Sequence, residues 1–176
     1  MLARSWGTLT GPGNVRAAVT IGAVRTYLWK GLDAPRMEIA HVEDLGHARG
    51  TQLGLVYELR WELDGPLLSL EIAGGRRERF HLGTTDFFDV LHSPFFNTLP
   101  VMRDGLLEPG PAREYTMTYV EVPQLTARPV PQRYEPLGNR VVRYRSGDFQ
   151  ADIEFDEDGI VTNYADYLER LAPIGR

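Results

Sequence analysis

The feature that most constrains the fold is an alternation of apolar and polar residues with a period of two. It runs through residues 55–64, 67–72, 115–120 and 149–156. Successive side chains of a β-strand point to opposite faces of a sheet, so this alternation predicts strands with one buried and one solvated face. The chain is therefore predicted to be mostly β.

Short turns separate the alternating segments and determine how the strands connect. Glycine, asparagine and aspartate reach the positive φ angles that tight hairpins need. Strands joined by so few residues must be antiparallel, because a parallel crossover needs about a dozen residues or more. We therefore predict one large curved antiparallel sheet of roughly eight to ten strands, forming a β-roll or an incomplete barrel. The turn signals are Asp64-Gly65-Pro66, Gly74-Gly75, Asp104-Gly105, Gly138-Asn139, Ser146-Gly147-Asp148 and Asp158-Gly159.

The sequence predicts a single helix, at the C-terminal end of the chain. Apolar side chains recur at helical spacing within residues 164–171, and Asn163 can cap the first turn. Pro94 and Pro100 each lack a backbone donor and have a fixed φ, which predicts that residues 93–103 form neither a helix nor a central strand. We expect that segment to be a connector that presents aromatic surface.

Length and composition predict one domain that needs no cross-link. The 176 residues divide into an N-terminal arm, residues 1–24, which could add an edge strand, and one β domain, residues 25–176. The chain has no cysteine, which excludes disulfides and thiol chemistry. A formal net charge of −5 argues against nucleic acid as a partner. No apolar run approaches the ~20 residues of a membrane span, so we expect a soluble, cytoplasmic protein.

Residue types of a catalytic triad and of a metal site occur, but in unfavourable arrangements. Asp86, His92 and Ser93 could form a triad, yet adjacent side chains of an extended segment are poorly placed for proton transfer. His41 and Glu43 would share one strand face, which supplies two of the three or four ligands that zinc requires. We therefore predict no catalytic residues, no metal and no cofactor.

The aromatic residues favour a cavity for a ligand. Aromatic side chains fit pleated, half-buried surfaces, so most of them are expected to belong to the core. Curved antiparallel sheets of this size nevertheless often enclose one small ligand. Phe95 and Phe96, beside Pro94, would form an apolar lip for such a pocket.

A series of motifs in the second half of the chain matches a known pattern of an acidic strand, a Ser/Thr-Pro pair, an Asn-Thr-Leu-Pro core and a basic pair. The matching residues are Asp89, Ser93-Pro94, Asn97-Thr98-Leu99-Pro100, Arg103, Gln132-Arg133-Tyr134, the run from Tyr144 to Ala151, Phe155-Asp156, Gly159-Ile160-Val161 and Tyr164. In these motifs the chain resembles a family of bacterial glycolipid-binding proteins, long catalogued as a domain of unknown function. The resemblance covers residues 25–172 loosely and residues 89–168 well.

The resemblance implies a β-roll or half-barrel with an apolar concavity that takes an acyl chain. Two positions depart from the family pattern, since Phe87 stands in place of an aspartate and Met102 in place of an arginine. We hypothesise that a family ion pair is exchanged here for a hydrophobic contact between Phe87 and Met102. Such exchanges are often neutral or stabilising.

These observations predict a non-enzymatic carrier or sensor that binds a glycolipid-like or other amphipathic ligand. The acyl part would lie against the concave face, and polar side chains at the mouth would meet the headgroup. The alternatives are a protein-interaction or structural module and, third, a small hydrolase that uses Asp or Glu. The sequence leaves homodimerisation through sheet edges open. The predicted ligand-binding residues are Tyr57, Trp61, Phe88, Asp89, His92, Phe95, Asn97, Arg103 and Tyr134.

Overall fold

A computed structural model describes residues 24–172, which form one sheet of thirteen strands and one α-helix. The predicted arm, residues 1–24, lies outside the described residues except for Val24. The elements are β1 (Arg25–Gly31), β2 (Met37–Asp44), β3 (His47–Leu53), β4 (Glu58–Asp64), β5 (Leu67–Ile72), β6 (Arg76–His81), β7 (Phe87–Val90), α1 (Phe95–Asp104), β8 (Arg113–Glu121), β9 (Thr126–Gly138), β10 (Val141–Ser146), β11 (Phe149–Phe155), β12 (Val161–Tyr164), a 3-10 turn (Ala165–Tyr167) and β13 (Leu168–Arg170).

The sheet consists of two meanders that meet in its middle, an N-terminal meander of β1 to β6 and a C-terminal meander of β7 to β13. Its strand order is β6-β5-β4-β3-β2-β1-β13-β12-β11-β10-β9-β8-β7, and β1 pairs with β13 at the seam. The edge strands β6 and β7 are connected by residues 82–86 alone, a connection that spans at most about 20 Å. The sheet therefore curls until its edges approach each other, without closing into a barrel.

The predicted fold class is confirmed, because the protein is mostly β with one large curved sheet and one helix of about ten residues. The sheet has thirteen strands rather than eight to ten, since strands as short as β13 are too short to show an alternation. One neighbouring pair departs from the antiparallel prediction. Strands β7 and β8 run parallel, and α1 forms the crossover between them.

The predicted alternation holds where the strands pack on the core. In β4, Leu59, Trp61 and Leu63 are buried while the residues between them are exposed or half-buried. The start of that predicted segment was wrong, because Leu55 and Val56 are 68% and 88% exposed. They lie in the turn before β4, which closes with the Gly54 N–H donating to the Tyr57 carbonyl at 2.8 Å.

The prediction that residues 93–103 are not helical was wrong, since α1 occupies Phe95–Asp104 with Pro100 inside it. Pro94 immediately precedes the helix with φ −68° and ψ −20°, angles that are already helical. The missing N–H of Pro100 removes one hydrogen bond from the middle of the helix. Burial of Phe95, Phe96, Leu99 and Val101 on α1 offsets that loss.

The predicted C-terminal helix was also wrong, because residues 161–170 form β12, a 3-10 turn and β13. Tyr164 pairs with Ile153 of β11, and Trp29 of β1 pairs with Arg170 of β13. Both strands thereby gain ladder hydrogen bonds that a separate surface helix would forgo. Ala165, with φ 21°, leaves the helical region between them.

The core draws buried side chains from both halves of the sheet and from α1. Trp61 of β4 lies 5.0 Å from the Phe95 ring and 5.2 Å from the Phe96 ring, measured between centroids. Gly50 lies opposite Trp61 in β3, and a Cβ at Gly50 would come within 2.5 Å of the indole. Around Trp61 the concave face is therefore filled by the protein's own aromatic side chains.

Candidate functional site

A cavity of about 340 Å³ opens on the inner side of the C-terminal meander. Strands β7 to β11 and the segment from Tyr164 to Leu168 form its walls, and the turn of residues 91–94 with the first turn of α1 forms one side. This volume lies at the lower end of the range of small-molecule sites, about 300–1,000 Å³.

Several aromatic rings line one part of the wall. Tyr144 on β10 packs with its ring centroid 6.1 Å from that of Tyr164 on β12, at an interplanar angle of 66°. Phe149 at the start of β11 lies 6.0 Å from Tyr144, and Tyr167 lies 5.4 Å from Tyr164, both tilted by about 60°. Tyr119 of β8 adds a further ring to the lining. In these three pairs the neighbouring rings are therefore steeply inclined to each other and do not stack in parallel.

A buried carboxyl group, Asp89 of β7, lies at the inner end of the cavity. Its Oδ2 accepts a hydrogen bond from the Gln132 side-chain amide at 2.6 Å. The Tyr134 hydroxyl donates to Gln132 Oε1 at 3.1 Å, and Asn97 of α1 donates to that hydroxyl at 3.0 Å. Burial raises the pKa of Asp89 to about 6, although the bond from Gln132 lowers it. Asp89 is thus held by neutral groups.

The tyrosine hydroxyls around Asp89 keep their protons at neutral pH. Burial and, as a smaller cause, the charge of Asp89 raise the pKa of Tyr119 to about 12. The same two causes, burial the larger, raise the pKa of the other four tyrosines around this carboxyl. The other four are Tyr134, Tyr144, Tyr164 and Tyr167. Tyr134 donates its hydrogen bond to Gln132 Oε1 and lies behind the lining. The other tyrosines line the cavity, where their hydroxyls can donate hydrogen bonds to a ligand.

His92 and Arg36 shape one side of the mouth. His92 has φ 68°, in the left-handed region, and its Nδ1 is hydrogen-bonded to the Tyr167 hydroxyl. Burial, followed by the nearby charge of Arg36, lowers the pKa of His92, so the imidazole is neutral at pH 7. The Arg36 guanidinium lies 4.3 Å from the centroid of the Tyr167 ring.

A second buried acid, Glu38 of β2, lies behind the cavity wall. The Ser93 hydroxyl, which lines the cavity, donates to Glu38 Oε1 at 2.9 Å. Glu38 Oε2 and Oε1 of its cross-strand neighbour Gln52 have no hydrogen-bond partner among the described residues. Burial raises the pKa of Glu38 to about 8, partly offset by the bond from Ser93. Glu38 is therefore a neutral acid at pH 7.

Residues 24–172 contain no cluster of three or more His, Asp or Glu side chains that could hold a metal ion. His41 is hydrogen-bonded to Thr26 at 2.9 Å, and His47 lies 2.8 Å from Asp64. Within the same residues there is no helix long and apolar enough to cross a membrane.

Comparison with known proteins identifies the family. A family model described as "Putative glycolipid-binding" matches residues 71–170, more than half of the chain. The chain belongs to this family. A crystal structure of a DUF1089 family protein from Pseudomonas aeruginosa shares the fold at 21% identity, with a TM-score of 0.66 over 94% of this chain and 100% of that chain. No curated protein matches the chain.

The family match includes every side chain that lines the cavity. Of the predicted ligand-binding residues, Asp89, His92 and Asn97 line it. Tyr134 lies directly behind them and bonds to Asn97. The structure therefore brings together four of the nine predicted side chains.

The other predicted aromatic side chains lie elsewhere. Trp61, Phe88 and Phe95 are at most 2% exposed and belong to the hydrophobic core. Tyr57 precedes β4, half-buried, and its hydroxyl has no partner among the described residues.

Arg103 lies outside the cavity, near the C-terminal end of α1. Its guanidinium lies 4.0 Å from the centroid of the Phe87 ring. Met102, one residue earlier, faces Gly159 in the turn before β12, where a Cβ would collide with its sulfur. Phe87 and Met102 thus have other neighbours, and these contacts give no support to the hypothesis that the two side chains replace an ion pair through mutual contact.

The sequence analysis did not select most of the aromatic lining. Tyr119 and Tyr144 fall within alternating strand segments, but alternation does not tell which strands converge. Tyr164 and Tyr167 were assigned to a helix. Glu38 had a usable signal, because it shares a strand face with the apolar Ala40 and Val42. The remaining aromatic lining residue that was not selected is Phe149, which is 48% exposed.

Proposed function

We propose that this protein binds a glycolipid-like or other amphipathic ligand non-covalently, as a carrier or sensor, with the polar headgroup in the tyrosine-lined cavity. The observation that supports this is a cavity of about 340 Å³ whose wall combines aromatic rings with hydroxyl, amide and carboxyl groups. Ligand sites typically combine apolar and aromatic walls with a few polar groups that fix orientation.

The headgroup would be held by rings and hydrogen bonds together. A sugar ring has apolar C–H faces, which pack against aromatic rings. It also has hydroxyl groups at its edge, which form hydrogen bonds. Tyr144 and Tyr164 supply ring surface, while Asn97, Ser93 and Ser146 supply polar atoms around the same space. The volume suits a compact headgroup rather than a long chain.

The acyl part would leave the cavity through its mouth. The concave face of the N-terminal meander is filled by Trp61 and the phenylalanines of α1. Phe149 at the mouth is 48% exposed and offers apolar surface to the first carbons of a tail. Each Å² removed from water there would contribute about 25 cal/mol.

Native mass spectrometry of freshly purified protein, followed by organic extraction, tests this proposal. We expect retained amphipathic molecules and saturable binding of octyl glucoside as a probe. Ser146→Trp would fill the cavity and abolish both, because Ser146 lines it. Gln150→Trp is the matched control, since Gln150 is exposed on β11 and is not part of the lining. Equal retention and equal binding by the two variants would refute the cavity as the site.

A second candidate function is hydrolysis that uses Asp89 as an acid or base. It is favoured by the burial of Asp89, which raises its pKa to about 6 at the inner end of a cavity. Against it, Asp89 is the one carboxyl group among the described lining residues, whereas glycoside hydrolysis uses a pair. Release of 4-nitrophenol from 4-nitrophenyl glycosides by the wild type, lost in Asp89→Asn, would establish this function instead.

A protein-interaction role has its own observation, an apolar patch on the outer side of β2 and β3. Met37 and Leu53 are cross-strand neighbours there, and both are exposed, as are Ile39, Leu55 and Val56. The same patch would serve homodimerisation. Sedimentation velocity at rising protein concentration, compared with a Leu55→Ser/Val56→Ser variant, tests self-association. Cytoplasmic location and the exclusion of nucleic acid stay predictions.

A further inference from the structure

The cavity has one acidic group, surrounded by tyrosines. Asp89 is the one carboxyl among the described lining residues. Its hydrogen-bond partners are neutral, namely the Gln132 side-chain amide and the backbone of Val90. A carboxylate this deeply buried without a positive partner is costly to desolvate. A cation in the cavity would supply the missing charge.

We propose that the headgroup bound in this cavity carries an ammonium group, held among the tyrosine rings and opposite Asp89. This inference rests on the proposed function and names the chemical class of its ligand. The ammonium could belong to an amino sugar or to an alkylammonium headgroup, which share this recognition chemistry.

The ring arrangement fits a cation. Tyr144, Tyr164 and Tyr167 all line the cavity. The first two rings are inclined at 66° and the last two at 57°, so they do not stack face to face. The negative face of an aromatic ring attracts ammonium ions, and boxes of several rings are the usual sites for alkylammonium groups. Because the pKa values of Tyr164 and Tyr167 are raised, their hydroxyls stay protonated and uncharged at neutral pH.

The other charged groups near the cavity are paired with carboxylates. Arg36 lies 4.3 Å from the centroid of the Tyr167 ring, and its charge is paired with Asp33 at 2.5 Å. Arg128 lines the rim, but its charge is paired with Glu121 at 3.2 Å, and both side chains are well exposed. His92 is held neutral by burial and by the nearby Arg36. The formal net charge of the whole chain, −5, also favours the approach of cations over anions.

Four probes with the same eight-carbon chain test the inference by calorimetric titration below their micelle concentrations. They are octyltrimethylammonium, octyl glucosaminide, octyl glucoside and octyl sulfate. We expect octyltrimethylammonium, octyl glucosaminide or both to bind at least about tenfold more tightly than octyl sulfate. The tighter of the two cationic probes tells an alkylammonium from an amino-sugar headgroup.

Asp89→Asn removes the charge while its amide oxygen can still accept from Gln132. We expect this variant to lose about tenfold in affinity for the cationic probes and much less for octyl glucoside. Asp148→Asn is the matched control, because Asp148 lies exposed in the turn beside the mouth and outside the lining. Phe149→Leu keeps an apolar side chain at the mouth but removes its ring, so the affinity for the cationic probes should fall about two- to fivefold. This variant tests the inference even if Asp89→Asn folds poorly.

Lowering the pH provides an independent readout. As the pH falls through about 6, protonation of Asp89 should weaken the binding of the cationic probes. The Asp89→Asn variant should show no such decrease in affinity. Any repulsion from a protonated His92 would persist in the variant, which separates the two groups. The other charges near this site are the pairs Arg128–Glu121 and Arg36–Asp33, and the variant leaves both pairs in place.

The outcomes separate the inference from the proposed function. Octyl glucoside binding as tightly as the cationic probes, with no effect of Asp89→Asn on any probe, would overturn the inference and leave the amphipathic ligand standing. If none of the four probes bound, the proposed function would fall together with the inference.

Discussion

The buried acid Glu38 makes the stability of this protein depend on pH in a way that one substitution isolates. Burial raises the pKa of Glu38 from 4.5 to about 8. Between these values the folded protein holds a proton that the unfolded chain has released, so the free energy of unfolding falls as the pH rises. At about 1.36 kcal/mol per pH unit, roughly 5 kcal/mol is lost in total, and roughly 3 kcal/mol of it between pH 5 and pH 8.

Glu38→Gln keeps the shape of the side chain and has nothing to ionise. Its amide oxygen can still accept the hydrogen bond from Ser93. Its amide nitrogen adds a donor beside Gln52, whose Oε1 has no partner among the described residues. We expect the variant and the wild type to agree within about 1 kcal/mol at pH 5, and the variant to be more stable by about 3 kcal/mol at pH 8.

Urea unfolding at pH 5, 6.5 and 8, followed by tryptophan fluorescence, measures this difference. Asp89 also titrates near pH 6 in the folded protein, but it does so in both proteins and cancels in the comparison. Glu62→Gln, at an exposed position of β4, is the matched control and should run parallel to the wild type. Parallel curves for Glu38→Gln as well would refute a neutral Glu38.

Two further pairs of variants test the buried polar network and the packing of the core. Tyr134→Phe should destabilise by about 1–3 kcal/mol, because it leaves the Asn97 amide and Gln132 Oε1 unpaired. Tyr57→Phe, which removes a buried hydroxyl without a partner among the described residues, should be neutral or stabilising; equal losses in urea unfolding would contradict the network. Gly50→Ala should cost about 1–3 kcal/mol, since its Cβ would lie 2.5 Å from the Trp61 indole. Gly110→Ala, with open surroundings at an exposed site, should stay within about 0.5 kcal/mol, and similar melting temperatures for the two alanine variants would argue against that contact.

The strands were predictable where one face is buried along their whole length. In β4 and β5 the alternation follows directly from burial of Leu59, Trp61, Leu68 and Leu70. Strand pairing across the seam was not predictable, because it joins residues at opposite ends of the described chain. Period-two patterns identify a strand and its faces, and leave its neighbours open.

Both errors about helices have a physical origin. Residues Tyr164 and Leu168 are four apart, a spacing that places them on one face of a helix and equally on one face of an extended chain. Pro94 and Pro100 were taken to exclude a helix, but Pro94 precedes its first turn and Pro100 removes one hydrogen bond. Burial of the Phe95 and Phe96 side chains outweighs that local preference.

The part of the candidate site that lies within one short segment could be predicted from the sequence, and the part that comes from separate strands could not. Asp89, His92 and Asn97 are close in sequence, and the resemblance to the family pointed to that segment. Their aromatic partners come from β8, β10, β11 and β12, which meet only because the sheet curls. Trp61 packs in the core against Phe95 and outside this cavity, and an aromatic side chain in a strand gives the same sequence signal in a core as in a pocket.

The pairing of β1 with β13 brings the first and last described strands of the chain side by side. Strand β13 runs back toward the start of β1, and the Leu171 N–H donates to the Leu28 carbonyl at 2.8 Å. Joining residue 172 to residue 24 and opening the chain between residues 82 and 86 would give a circular permutant whose strands follow one another in spatial order, from β7 at one edge to β6 at the other. Its contacts would be more local, which favours faster folding. In the natural chain, β1 cannot pair with β13 until β13, its last described strand, has been synthesised, so the two half-sheets stay unpaired at the seam until then.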